Sequence, residues 1–239
     1  MPWYDKTTQN MEPKVKYSRQ QLVSMLREAK PSLNNGSYQW AVGGMLKSGG
    51  ITRTGFGEYM VKEGDVLPEY QPVYSDLSNE LLNKVTVKFP YIKFTIFETV
   101  LLNEFLNHLV AQNTIFIQLE KDTSVFVFRF LQEAGYMNVM YKPSKKNFNL
   151  YWASNCIIVT DMVSEAPRSA NHPHIITMEK MLVDIYCDKL IRSTYSVAEY
   201  ASVVEQAMKT YRVERPKILR YARRRNRAAE IKQIMAELE

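Results

Sequence analysis

The sequence predicts a mixed α/β protein: a small N-terminal part of helices and a β-hairpin, then a larger α/β domain with a helical C-terminal cap. Three observations predict it. Apolar residues recur at helical spacing between Ser18 and Lys47 and lead into a glycine-turned hairpin. Strand-like and helix-like segments alternate through residues 76–190, the pattern of a layered α/β domain. The last third is helical in period. With 239 residues, 46% apolar and 23% charged, the chain can bury a sizeable core and is not of disordered composition.

Residues 1–16 are polar and irregular and are expected to form a flexible tail. Ser18 with Gln21 fits a capping box, and Leu22, Leu26 and Ala29 follow on one helical face. Pro31 and Asn34-Asn35-Gly36 end that helix in a loop, into which one short helix could be compressed. A second helix is expected over residues 37–47. Tyr38, Ala41, Val42, Met45 and Leu46 share one side, and Gln39, Trp40, Gly43 and Lys47 the other. Gly43 and Gly44 each cost about 1 kcal/mol inside a helix, so a close backbone approach is expected there. A hairpin follows: Ile51-Thr52-Arg53, a turn over residues 54–57, then Glu58-Tyr59-Met60-Val61. Helix, loop, helix and hairpin over residues 17–62 is the plan of a winged helix-turn-helix, with the hairpin as wing.

Residues 63–75, with Gly64, Pro68 and Pro72, read as a linker, and the α/β domain spans 76–239. A helix over Leu77–Val85 stops before Pro90. Ile92–Phe97 is a strand, Leu101–Leu109 a helix and Thr114–Leu119 a strand. Residues 122–134 are ambiguous: Val125, Val127 and Phe128 favour strand, whereas Asp122 and Gly135 bracket a helix. Asn138–Tyr141 and Cys156–Thr160 are strands joined by a basic turn, Lys142–Asn149. Helices follow around Met178–Ile185, after a Ser196/Glu199 capping box, at Ile218–Ala222 and at Ile231–Leu238.

The charge is local. The net charge is +6, but Lys209–Lys232 alone carries +8 and the remainder −2. An anionic partner is therefore expected at that end only. No apolar run is long enough to span a membrane, and the start, MPWYDKTTQN, has no secretory h-region. Two cysteines, Cys156 and Cys187, make neither a disulfide framework nor a four-cysteine zinc site, so a reducing cytoplasmic location is expected.

The outward side of the second helix offers Ser37, Gln39, Trp40 and Lys47 to a major groove, and Arg53 and Thr54 on the wing could reach a phosphate. The alternative is a solvated face with Trp40 folded back or held by a protein. Lys217, Arg220, Arg223, Arg224 and Arg227 fall on one helical stripe opposite Ile218, Leu219 and Ala222. They could bind phosphates or an acidic partner, or simply pair with Asp184, Asp188 or Glu230. Tyr221 could stack on a base. Asp184 and Asp188 form a repulsive i, i+4 pair unless a cation sits nearby. His172-Pro-His174 lacks the further ligands of a zinc site, so no metal or other cofactor is expected. There is no nucleophile elbow, P-loop or dinucleotide fingerprint. Glu98 or Glu104 with Glu120-Lys121 beside a strand is the one nuclease-like arrangement, with the acid and the lysine adjacent rather than one residue apart. The expectation is a non-enzymatic protein.

Four segments together carry a family resemblance: Ser37–Val61 (SYQWAVGGMLKSGGITRTGFGEYMV), Phe89–His108, Ile176–Asp188 (ITMEKMLVDIYCD) and Leu219–Ile231 (LRYARRRNRAAEI). In this order they resemble the AbiEi-type antitoxins, bacterial proteins with an N-terminal winged helix and a larger C-terminal domain. The resemblance implies a regulator that binds operator DNA, represses its own operon and counteracts a nucleotidyltransferase toxin in phage defence by abortive infection. By position, Ser37, Gln39, Trp40, Lys47 and Arg53 would contact DNA. The wing holds one arginine where the family's wings often hold more. A homodimer on an inverted repeat is one expectation, although no heptad stretch marks its interface. The alternatives are a protein-interaction module that neutralises a partner without DNA, and a metal-dependent nuclease.

Overall fold

A computed structural model describes residues 3–4, 7–8, 10–12, 15–55, 57–61 and 67–238. The chain divides into two compact units, Met1–Val66 and Leu67–Glu239. The fold is mixed α/β with a helical C-terminal part.

In the first unit a strand β1 (Lys16–Ser18) leads into α1 (Arg19–Ala29), α2 (Asn35–Lys47) and a hairpin of β2 (Ile51–Gly55) and β3 (Glu58–Val61). The sheet order is β1-β3-β2, all antiparallel. Strand, two helices and a hairpin whose second strand pairs with the first strand make a winged helix-turn-helix. Ser18 starts α1 with the full capping box: its hydroxyl accepts from Gln21 N–H, and Gln21 reaches back to Ser18 N–H. Asn34 caps α2, so the helix begins at Asn35 and no extra helix lies in residues 31–34. Leu22, Leu26, Tyr38, Ala41, Val42 and Met45 form the core between the helices.

The described part of the 1–16 segment is not a loose tail. Tyr4, Thr7 and Met11 are buried, and Glu12 N–H donates to the Tyr17 hydroxyl at 2.8 Å. The Trp3 ring stands edge-on to Tyr38.

The second unit holds α3 (Asp76–Lys88), β4 (Phe94–Glu98), β5 (Thr114–Leu119), α4 (Ser124–Glu133), β6 (Val139–Tyr141), α5 (Lys145–Tyr151) and β7 (Cys156–Asp161). Helices α6 (Met178–Cys187), α7 (Tyr200–Thr210), α8 (Arg215–Arg224) and α9 (Ala228–Glu237) follow. The sheet order is β4-β5-β7-β6, with β4 antiparallel to β5 and β5, β7 and β6 parallel. Every residue of β5 is buried, which is why three apolar residues, Ile115 to Ile117, follow one another rather than alternating with polar ones.

The ambiguous 122–134 stretch forms helix α4, Ser124–Glu133. Three expectations need correction here. The stretch 142–149 is not a turn, because β6 and β7 are parallel and need a crossover; it supplies α5, capped by Ser144. The expected helix 101–109 is a 3₁₀ turn over Thr99–Glu104 and then irregular chain, closed by Asn103 Oδ1 accepting from Val110 N–H. Ser196 does not cap; Glu199 instead accepts from Asn107 N–H at 2.7 Å.

The expected linker is also revised. Residues 62–66 lie outside the described residues, but 67–75 belong to the second unit. Tyr70 and Tyr74 are buried in its core, and the Tyr74 hydroxyl donates to Ile96 O and accepts from Ile176 N–H. That tyrosine ties two segments to β4, whose free edge is further covered by Ile96 N–H donating to His174 O. Among the described residues no helix is long and apolar enough to cross a membrane.

Candidate functional site

The outward side of α2 is set by its buried side: with Tyr38, Ala41, Val42 and Met45 in the core, Gln39, Trp40, Gly43 and Lys47 face out. Ser37 is the exception among the expected contacts. It is half-buried, its N–H and hydroxyl both bond to Asn34 Oδ1, and its role is in the cap. Gln39 Oε1 accepts from Arg19 Nε at 2.7 Å, which leaves its amide nitrogen to donate outward. Lys47 is exposed and has no ion pair among the described residues. On the wing, Arg53 and Thr54 are exposed; Arg53 Nε donates to Gly55 O at 3.2 Å, where the ladder shifts register.

Trp40 is 66% exposed, and its ring meets Tyr4 edge-on at 5.8 Å between centroids. Tyr4 also explains one of the two helix glycines: a Cβ on Gly44 would collide with its phenol ring, whereas one on Gly43 would meet nothing within 4 Å. Tyr4, Trp40, Gly43 and Lys47 surround a depression of about 450 Å³.

In the second unit, the Asp184/Asp188 pair has the nearby cations that its spacing calls for. Asp184 is buried and accepts from Lys180, from the Tyr221 hydroxyl at 2.8 Å and from Arg225 at 3.4 Å. Lys180, itself fully buried, also donates to Gln118 of β5. Asp188 accepts from Leu190 and Ile191 N–H, and burial pushes its carboxyl above the usual range. Tyr221 is therefore a core residue and cannot stack on a base.

The basic stripe is reduced in the same way. Lys217 pairs with Glu214 at 2.6 Å, Arg224 donates to Ser164 at 2.5 Å, and Arg227 pairs with Glu230 at 2.7 Å. Only Arg220 and Arg223 of the five are exposed with no such partner among the described residues. Helix α8 also stops at Arg224, with Asn226 in the left-handed region, so Arg227 does not continue its face.

The nuclease-like carboxylates are not brought together. Glu98 pairs with Ile115 at the start of β5, while Glu120 follows its end, so the strand's length separates them. Glu98 is buried and accepts from Ser75 N–H and hydroxyl and from Asn113. Glu104 accepts from Tyr211, whose phenol that contact pushes up to about 12. His174 stacks on Phe94 at 4.0 Å and is structural. At the carboxyl ends of the parallel strands, Asp161 accepts from Ser124 at 2.5 Å and Lys142 at 2.6 Å. Burial alone would raise its carboxyl, but these two partners hold it below the usual range. Sequence reasoning missed Lys180, Gln118 and Arg225. The i, i+4 spacing of Lys180 and Asp184 was the available signal, without any sign that both are buried.

The two units thus define an α/β protein that joins a winged helix to a mixed four-stranded sheet and a helical C-terminal part. The chain belongs to a family of unknown function, DUF6577, whose model matches residues 37–239. No curated protein matches it.

Proposed function

We propose that the chain is a DNA-binding transcriptional regulator of the antitoxin kind, which represses its own operon and counteracts a nucleotidyltransferase toxin in the cytoplasm. The observation that carries the DNA reading is the outward face of α2, where Gln39 and Lys47 are exposed, as are Arg53 and Thr54 on the wing that follows it. The resemblance of four ordered segments to AbiEi-type antitoxins supports the toxin partner. The unpaired cysteines agree with a reducing compartment.

The test is binding to the chain's own upstream DNA and to scrambled DNA across a salt series. A specific complex that weakens with salt is expected, and Lys47→Glu should weaken both DNAs and flatten the log–log slope by about 1. Equal affinity for both DNAs at every salt concentration would overturn the reading.

One observation favours a second reading. The exposed Trp40, backed by Tyr4 and beside the open Gly43, is an aromatic surface suited to a protein partner. On that reading Lys47→Glu with Arg53→Glu leaves toxin neutralisation intact, and Trp40→Ala abolishes it.

A further inference from the structure

A cavity of about 480 Å³ lies in the second unit, between the 69–72 segment, the 168–177 segment and the amino-terminal ends of α6 and α8. Its charges are unevenly satisfied. Lys217 is paired with Glu214, Arg212 lies 3.8 Å from Glu69, and the Glu179 carboxylate accepts from Glu214 N–H. Arg168 has no such partner. Its Nε and Nη2 are buried without an acceptor, and it makes no ion pair among the described residues. The buried Tyr70 hydroxyl, from a second residue that lines the cavity, is also without a partner.

A guanidinium carries five N–H donors and no acceptor, so it can be satisfied only by acceptors brought to it. A dehydrated guanidinium without an acceptor is costly, and an unsatisfied buried donor in a native fold calls for a missing partner. The end of α6 adds to the deficit. Thr177 caps Lys180 N–H, which leaves the first amides of the helix, at Met178 and Glu179, without intrahelical acceptors beside the cavity. The donors that lack partners are thus a guanidinium fork, a phenol and helix amides, and what they lack is an oxyanion. The volume is that of a small organic ligand rather than a bare ion.

We propose that this cavity binds a small organic molecule through a phosphate or carboxylate group held by the guanidinium of Arg168. The inference is independent of the DNA reading, because it concerns the second unit alone and is tested without DNA.

The experiment is calorimetric titration of the full chain with inorganic phosphate and with succinate, against sodium chloride at equal ionic strength. Saturable binding of at least one probe is expected, and which one binds distinguishes the two oxyanions. Arg168→Gln should weaken it at least about tenfold, the loss of one charge-assisted bidentate contact. Arg168→Lys, which keeps the charge and loses the fork, should fall between the two. Lys209→Gln, an exposed cation that does not line the cavity, should bind as the parent does. Circular dichroism checks that each variant is folded, and Arg168→Lys carries the test if the glutamine variant is not. No saturable binding of either probe would overturn the proposal, as would undiminished affinity in a folded Arg168 variant.

Discussion

The outward face of α2 and the arginine run around α8 both read as cationic in sequence, yet they commit their side chains differently. The run at the C-terminal end has many charges and few to offer. Arg225 reaches inward to Asp184, Lys217 and Arg227 hold glutamates, and Arg224 holds Ser164. The α2 face has few charges, but Lys47 is uncommitted and the amide of Gln39 remains able to donate. A count of lysines and arginines therefore overstates the first surface and understates the second. What decides the matter is how many acids and carbonyls the fold brings within reach of each cation.

The largest expected effect breaks the inner side of that comparison. Asp184→Ala would leave Lys180 and Arg225 without their shared carboxylate in a dry site, a loss of about 3–5 kcal/mol in urea unfolding of the full chain. A loss below about 1 kcal/mol would mean that water reaches the cluster and that Arg225 is as free as Arg223. The second effect concerns the same inner edge. Burial pushes the Cys187 thiol up to about 11, outweighing the lowering effect of the nearby Arg225. Because the thiolate is the reactive form, alkylation of Cys187 by iodoacetamide at pH 8 should run about a hundredfold slower than in a short peptide. It should quicken as pH rises toward 11. Mass spectrometry assigns the site, and peptide-like reactivity at pH 8 would show the edge to be wet.

How much of this was legible follows from where each partner sits in the chain. The Ser18–Gln21 capping box and the strand Thr114–Leu119 were legible because their signals lie within a few residues. Strand β1 was not: three residues with an exposed pattern become a strand only by pairing with β3, some forty residues on. Helix α5 was missed because it is short and polar and buries only Phe148. The 99–106 stretch misled because Leu101, Leu102, Phe105 and Leu106 are all buried, a fully enclosed turn that imitates the apolar spacing of a helix. At the candidate sites, the α2 face could be read from period alone, since Tyr38, Ala41 and Met45 mark the opposite side. The commitment of Ser37 to its cap has a local signal, because Asn34 lies three residues before it, whereas the burial of Tyr221 and the isolation of Arg168 depend on residues distant in sequence or on solvent access.

A third effect sharpens the α2 side, on the scale of about 1–3 kcal/mol. Gly44→Ala must displace the Tyr4 phenol, and the overpacking should cost stability in that range. Gly43→Ala meets nothing and should gain up to about 1 kcal/mol from helix propensity. Thermal unfolding of the two variants should therefore move in opposite directions. Shifts of the same sign would mean that Tyr4 does not pack on α2 as described, and the depression beside Trp40 would lose its wall.

The smallest effect is at the exposed end of the arginine run. Arg223 is exposed and unpaired among the described residues, so Arg223→Ala should change stability by no more than about 0.5 kcal/mol, although Arg225, two positions on, is bound into the Asp184 cluster. Arg223 and Arg220 then matter only through what they could bind. If the α2 face and the wing carry DNA contact, Arg220→Glu with Arg223→Glu leaves the salt slope of DNA binding where it was, while Lys47→Glu lowers it. If the slope instead falls by about 2 in the double variant and holds in Lys47→Glu, the phosphates lie on α8. The two cationic surfaces would then exchange roles: two free arginines in a consumed run would outweigh a lysine and an amide on an open helix face.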